Sequence, residues 1–187
     1  GTFEDQQDTF TDLGILMVLI IILVFIVMAA QFESLVDPFV IMFSIPFAFT
    51  GIVLGLAVTQ TPLGVMALIG VIMLMGIVVK NGIVLIDYTI LCRERGMGII
   101  TSVVTAGKSR LRPVLMTTLT TVLGMIPMAV GTGEGSEMWR SMGMTVAWGL
   151  SVSTLITLII VPTVYAVFAA NGVKRRRRKI RKALRNN

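Results

Sequence analysis

The sequence predicts an all-α membrane protein built around a bundle of five transmembrane helices. Hydrophobic residues make up 55% of the 187 residues, only 14% are charged, and the mean hydropathy is +0.90. A soluble domain of this length needs more charge to cover its surface. Five apolar segments reach or approach the roughly 20 residues that a helix needs to cross a bilayer.

The predicted spans follow one another with short polar connections. The first is the clearest, because it contains no charged residue, whereas the third contains Lys80 and the fifth contains Pro162. The spans are predicted near residues 13–30, 36–58, 63–91, 113–130 and 143–168. Residues 1–12 are polar and acidic and lack the basic region that opens a signal peptide. We expect them to form an external segment, on the side of the membrane that the basic residues described next indicate.

The basic residues predict the orientation of the bundle. Five of them lie between the third and fourth spans and nine lie after Asn171, whereas the opposite side has Arg140 alone. Five spans put those two basic regions on the same side of the membrane. The positive-inside rule therefore places residues 169–187 in the cytoplasm as a basic tail, and the N-terminus outside.

Two weaker patterns concern local structure. Apolar residues at 99, 100, 103 and 104 fall on one helical face, which predicts an amphipathic helix near 97–108 on the cytoplasmic membrane surface. Glycines recur in the second and third spans, where small residues let helix backbones approach closely. These glycines are at positions 51, 55, 64, 70, 76 and 82.

Lys80 is the main candidate functional residue of the third span. It lies about 11 residues, or roughly 16 Å, from the cytoplasmic end of its helix, which is too deep for easy snorkelling. A lysine at this depth costs at least about 2.5–3.5 kcal/mol, so we expect it to face protein and to have a partner. No carboxylate of this chain lies at that depth. We therefore expect the acidic partner on a segment that this chain does not contain.

Two neighbours of Lys80 are possible supporting residues. Asp87 is seven residues further on and returns to nearly the same helical face. It is too far along the axis to neutralise Lys80 directly, and an interfacial or capping role is the alternative. Asn81 is adjacent to Lys80 and is able to hydrogen-bond a neighbouring helix.

The fourth span repeats the seven-residue spacing with Arg110 and Thr117, and Thr121 follows one turn later. Alternatives stay open for both residue types. Membrane threonines commonly bond to carbonyls of their own helix. Arg110, with Arg112 beside it, is also consistent with one more positive charge on the cytoplasmic side.

Several classes of function are not expected. Histidine is absent, which removes the commonest metal ligand and the usual general base, and no nucleophile–base set remains to suggest an enzyme or a cofactor site. The single cysteine, Cys92, cannot form an internal disulfide. The basic tail is suited to binding anionic lipid. Nucleic-acid binding is not expected, because the tail directly follows a span and has no interleaved aromatic residues.

Three long stretches carry a resemblance to a known family. They are "AAQFESLVDPFVIMFSIPFAFTGIVLGL", "GIVVKNGIVLIDY" and "RLRPVLMTTLTTVLGMIPMA". They resemble the resistance-nodulation-division (RND) efflux permeases, in the branch that exports hydrophobic and amphiphilic drugs. The likeness runs from about Phe10 to Phe168 and corresponds to the last five of the twelve helices of such a permease.

The resemblance implies a function and a relay. Such permeases are proton-driven drug antiporters without a cofactor, and two aspartates on the fourth helix of their first half exchange contacts with a lysine that matches Lys80. An arginine matching Arg110 and a threonine matching Thr117 belong to the same relay. This chain lacks the aspartate pair and the periplasmic domains, so we expect that it does not transport alone.

The resemblance also implies partners and a location. The partners are the remainder of the permease with its aspartate-bearing helix, a homotrimeric assembly, a periplasmic adaptor and an outer-membrane channel. The location is the bacterial inner membrane, with a periplasmic N-terminus and a cytoplasmic C-terminus. Two alternatives are a non-transporting scaffold with a lipid-binding tail and, because of the thirteen methionines, a metal-ion exporter of the same family.

Overall fold

The computed structural model describes residues 2–60 and 64–186, and the described chain is helical between short connections. Five segments of it are long and apolar enough to cross a membrane. This confirms the predicted fold class. The helices are α1 (Thr2–Phe32), α2 (Val36–Met42), α3 (Ser44–Thr59), α4 (Val65–Glu94), α5 (Ile99–Val130) and α6 (Ser136–Arg185).

The first helix, α1, is the most peripheral of the bundle. The polar segment predicted over residues 1–12 is part of this helix from Thr2 onwards. Met28 is its only buried residue among those described, and apolar side chains such as Ile15 and Val27 are exposed. A helix that is apolar all round and packs little against its own chain is suited to contact with lipid or with further protein.

The second predicted span is divided into α2 and α3 at Phe43. Pro46 explains the break, because it has no N–H to donate to the carbonyl of Met42. The Ser44 hydroxyl donates to the carbonyl of Ile41 at 2.6 Å, which satisfies one group at the junction. The third predicted span was placed from Leu63, which lies outside the described residues, and α4 begins at Val65.

The connection between α4 and α5 is short, and Gly96 adopts a φ of +91° there, a conformation that L side chains rarely take. The helix predicted near 97–108 is not separate from the fourth span, because residues 99–130 form the single helix α5; its position on the membrane surface stays a prediction. The charges at 108–112 mark a change of polarity, and polarity alone does not end a helix. Pro113 lies inside α5 at the cost of one backbone hydrogen bond.

The last helix, α6, forms the centre of the bundle and packs against α3, α4 and α5. Its glycines allow this close approach. A Cβ on Gly143 would lie 2.8 Å from the backbone nitrogen of Ala129 in α5, and one on Gly149 would meet Leu74 of α4. Beyond the apolar part, α6 continues as a helix through the predicted basic tail to Arg185.

The glycines predicted to pack fall into two groups. Those at 51, 55, 70 and 82 are buried, and a Cβ on each would contact a neighbouring helix. Gly64 and Gly76 have open space where a Cβ would be, among the atoms that the structure describes. Gly76 therefore marks a side of α4 on which the described helices leave space, at the edge of a cavity that α1 also lines.

Candidate functional site

Lys80 lies on this side of α4. It is exposed, as are Gly76 four residues before it and Asp87 seven residues after it. This spacing places the three residues along one face of the helix, which we name the open face of α4 (Gly76, Lys80 and Asp87). Within residues 2–60 and 64–186, Lys80 forms no hydrogen bond or ion pair. The bundle thus presents an unpaired ammonium group outwards.

The possible supporting residues lie on two different sides of the helix. Asn81 is buried, with 8% of its surface exposed, and its amide makes no hydrogen bond to another residue in the described part of the chain. The predicted bond to a neighbouring helix is therefore not present there. Asp87 is two turns, or about 10.5 Å, along the axis from Lys80, so it does not pair with the lysine.

Arg110 is brought against α4 by the packing of α5. Its guanidinium carbon lies 4.9 Å from the centre of the Tyr88 ring, within the range of a cation–π interaction. The Nε atom is buried and has no hydrogen-bond partner among the described residues. Arg110 as a whole is only half-buried, and its guanidinium has further N–H donors with which to bind a carboxylate or carbonyl of another segment.

The Tyr88–Arg110 contact fixes the relative height of α4 and α5, which a short connection joins as neighbours. Because the two helices run in opposite directions, Lys80 and Thr117 both lie further from this connection than the contact does. Lys80 is eight residues from Tyr88 and Thr117 is seven from Arg110, which is about 12 Å and 10.5 Å along the axes. The lysine and the threonine therefore lie at nearly the same depth.

Thr117 is exposed on α5, and its hydroxyl donates to the carbonyl of Pro113 at 3.0 Å. The Thr121 hydroxyl likewise donates to the carbonyl of Thr117 at 2.9 Å. These are the bonds to the same helix that the sequence left open as an alternative. The Thr117 hydroxyl oxygen still has lone pairs with which to accept a proton or a hydrogen bond.

Two contacts at this end of the bundle were missed by sequence reasoning. Tyr88, which stacks with Arg110, follows Asp87 directly, and an aromatic residue beside a charged residue near the end of a span was the available signal. Thr118 is buried, and its hydroxyl lies 3.1 Å from that of Thr154 on α6. No pattern in the sequence indicated this second pair, because the two residues are 36 positions apart.

The carboxylates of α1 lie in its first three turns, before the apolar part of that helix, and most of the others lie near helix ends. Asp37 is in the first turn of α2, Glu137 is in the first turn of α6 and Glu94 is the last residue of α4. Asp87 lies two turns before the end of α4. Within the described residues, then, no acidic group is level with Lys80.

Comparison with known proteins identifies relatives over nearly the whole chain. A family model described as the AcrB/AcrD/AcrF family matches residues 1–169. The swarming motility protein SwrC of Bacillus subtilis is 42% identical over 170 residues, which is 90% of this chain and 16% of SwrC. The cobalt-zinc-cadmium resistance protein CzcA of Cupriavidus metallidurans is 38% identical over 165 residues, which is 88% of this chain and 16% of CzcA.

Two further matches broaden the comparison. The multidrug resistance protein MdtC of Proteus mirabilis is 35% identical over 177 residues, which is 94% of this chain and 17% of MdtC. The crystal structure of a heavy metal efflux pump superposes with a TM-score of 0.82 and 30% identity, covering 91% of this chain and 17% of that one. The chain thus spans about a sixth of the length of the proteins that it matches.

Proposed function

Because the chain belongs to the AcrB/AcrD/AcrF family of RND permeases, we propose that it forms part of a proton-driven efflux permease and contributes Lys80, Arg110 and Thr117 to the proton relay. The family is one of transporters, and its relatives include resistance and efflux proteins. The chain corresponds in length to the five-helix part that its sequence resembles.

The observation that carries the proposal is the exposed position of Lys80 on the open face of α4. In a membrane, an unpaired ammonium group at this depth would face hydrocarbon, at a cost of at least about 2.5–3.5 kcal/mol. A helix that covers this face and carries carboxylates removes the cost. The open space beside Gly76 supports close approach by such a helix.

The chemistry of the relay follows from pairing and release. A carboxylate beside Lys80 is held ionised by the ammonium group. When the carboxylate takes up a proton, it loses its charge and its attraction for the lysine. The lysine is then free to adopt a second arrangement, and packed helices convert such a change into a shift between two states.

Arg110 and Thr117 have complementary roles in this proposal. Arg110 keeps a positive charge at every physiological pH, and its buried Nε atom has no acceptor among the described residues. It offers the carboxylates an alternative cation nearer the end of the helix. Thr117, level with Lys80, offers a hydroxyl able to accept and donate a hydrogen bond in a proton path. Asp87 is proposed to support Arg110, and Asn81 to fix the packing behind Lys80.

The assembly is proposed from the family and the charge pattern. We propose a multi-pass protein of the bacterial inner membrane with the basic tail in the cytoplasm and the N-terminus in the periplasm. The complete permease is proposed to be a homotrimer that acts with a periplasmic adaptor and an outer-membrane channel. The tail is proposed to contact anionic lipid.

Two substrate classes are candidates. Export of amphiphilic drugs is our first proposal, supported by the long resemblance to the drug-exporting branch and by the match to MdtC. Export of metal ions is the second, supported by the match to CzcA and by the superposition on a heavy metal efflux pump. A scaffold without transport is less consistent with an exposed lysine at mid-depth.

Reconstitution of the protein as its gene encodes it tests the proposal. In proteoliposomes with an imposed pH gradient, we expect either a cationic dye or Zn²⁺ to drive counter-movement of protons, and Lys80→Ala to abolish it. Lys108→Ala, which removes an exposed lysine near the start of α5, is the matched control and should retain it. Thr117→Ala should give a partial loss. Substrate movement unaffected by Lys80→Ala would refute the relay.

A further inference from the structure

A cavity of about 570 Å³ lies where α1 ends, α2 begins, α4 ends and the apolar part of α6 gives way to the basic tail. Its volume is in the range of small-molecule sites in proteins. We propose that this cavity, named here the headgroup cavity, binds the headgroup of a phospholipid that carries both a phosphate and a primary ammonium group, as phosphatidylethanolamine does.

The position of the cavity matches the level of lipid headgroups. Its lining on α6 runs from Tyr165 to Arg176, about 16 Å of helix. Over this distance α6 changes from apolar residues to the basic run that starts at Lys174. The headgroup layer is about 5–8 Å thick on each side of the hydrocarbon core, so the cavity crosses from hydrocarbon into headgroups.

The wall that faces hydrocarbon is apolar. Phe32 of α1, Ile90 of α4, and Phe168 and Val173 of α6 line it. Phe168 also packs edge-on against Phe39, with the ring centres 6.1 Å apart. Such a wall suits the glycerol and the first methylene groups of a lipid, and it is unsuited to a free inorganic anion.

The other wall carries charges of both signs. Arg93 and Arg176 supply two guanidinium groups, and Asp37 and Glu94 supply two carboxylates. In the described part of the chain, no ion pair within 4 Å joins any of these four groups to a partner. Arg93 and Asp37 still interact electrostatically beyond that distance. A wall with two cations and two anions, none of them in a close ion pair, complements a zwitterion better than a purely anionic headgroup.

Arg93 is held at the cavity wall by a hydrogen bond. Its Nη1 donates to the Tyr165 hydroxyl at 3.0 Å, and Tyr165 is buried with 3% of its surface exposed. This bond fixes the guanidinium at the wall and leaves other N–H donors for a phosphate. Asp37 is only partly exposed, so its carboxylate gains from an ammonium partner that donates hydrogen bonds.

The chemistry predicts selectivity among headgroups. Phosphatidylethanolamine donates N–H bonds to the carboxylates and places its phosphate on the arginines. Phosphatidylcholine has a cation without N–H donors, and phosphatidylglycerol has no cation at all. The proposal requires that the bundle lie in a membrane and that the cavity stay open to lipid in the complete protein, and it is independent of proton coupling.

Native mass spectrometry of the delipidated protein, titrated with the three lipids carrying identical acyl chains, tests the proposal. We expect phosphatidylethanolamine to bind about tenfold more tightly than either of the others, the effect of one good charge-assisted contact. Arg176→Gln should weaken its binding about tenfold. Arg178→Gln, a matched change outside the cavity lining, should leave it within twofold.

The carboxylates provide the decisive variant. The Asp37→Asn, Glu94→Gln double variant should bind phosphatidylethanolamine no better than phosphatidylcholine, with phosphatidylglycerol binding unchanged or stronger. If the double variant does not fold, Glu94→Gln alone, at an exposed residue, should lower the preference about threefold. Equal binding of the three lipids, preference for phosphatidylglycerol, or equal effects of the Arg176 and Arg178 variants would each overturn the proposal.

Discussion

The two sides of α4 differ in what they contain and in what covers them. One side, with Leu74, Val78 and Leu85, is buried against α3 and α6. The open face carries Lys80 and Asp87 and has space beside Gly76. The buried side has the residues that hold five helices together, and the open face has the charged residues that a five-helix bundle does not need.

The glycines of α4 also differ between its buried side and its open face. At Gly82, on the buried side, a Cβ would lie 2.9 Å from Cγ2 of Ile41, so the absence of a side chain is required by a neighbour that is present. At Gly76 nothing described lies within 4 Å of the Cβ position. A glycine costs a helix about 1 kcal/mol relative to alanine. At Gly76 no described neighbour accounts for this cost, and a further helix packed there would.

The largest effect is expected from Lys80, on the open face. In a complete permease bearing this segment, Lys80→Ala should abolish export while membrane abundance stays roughly normal. The reason is that the lysine forms no hydrogen bond or ion pair with a described residue. Lys80→Arg should also fail substantially, since a planar guanidinium differs in size and geometry at a crowded site. Drug or metal susceptibility in a pump-deficient host, with an immunoblot, measures both. Full resistance with Lys80→Ala would leave the lysine only a packing role.

A change in the packed interior, between α5 and α6, should lower stability instead of removing a transport residue. Gly143→Ala places a Cβ 2.8 Å from the backbone nitrogen of Ala129, which cannot move as a side chain can. We expect the free energy of unfolding to fall by about 1–3 kcal/mol, as for overpacking elsewhere. Thermal unfolding in detergent measures it. Gly124→Ala in α5, with nothing within 4 Å, is the control and should not lower stability.

The sequence predicted the membrane-spanning helices well. Hydropathy, length and glycine spacing were sufficient to predict five spans. A helix in a membrane forms its backbone hydrogen bonds within itself, so it is recognisable from the local sequence. The division at Phe43 was missed, although Pro46 was visible. The continuity of α5 was missed because the helix near 97–108 and the span near 113–130 were predicted from two separate patterns, with Pro113 between them.

The open face was predicted only in part. Lys80 was identifiable because a charge at mid-depth is costly wherever it lies. Its exposure within this chain was consistent with the missing carboxylate. The contacts of Tyr88 with Arg110 and of Thr118 with Thr154 were not predictable, since they depend on how far α5 slides along α4 and α6. A single sequence does not contain that register.

A smaller effect is expected from Tyr88, at the junction of the two sides. Tyr88→Leu removes the ring beneath Arg110, and we expect proton-coupled export to fall about two- to fivefold, since an exposed or partly buried cation–π contact contributes about 0.5–1 kcal/mol. Tyr88→Phe keeps the ring and should retain export. Initial export rates measure the difference. Equal losses in both variants would assign the effect to the hydroxyl.

The smallest effect on transport is expected from the basic tail, which lies on neither side of α4. Arg175 to Arg178 are exposed on the end of α6. Replacing all four with glutamine should weaken binding to anionic vesicles by about 1 kcal/mol per residue and reduce the fraction inserted correctly. Export per correctly inserted molecule should stay nearly unchanged, because these residues lie beyond the apolar part of α6 and far from the depth of Lys80.

Replacing the four arginines with lysine keeps the charge and serves as the control. Vesicle co-sedimentation and export normalised to inserted protein measure the two quantities. Loss of proton coupling in normally inserted glutamine variants would show that the tail acts on the open face.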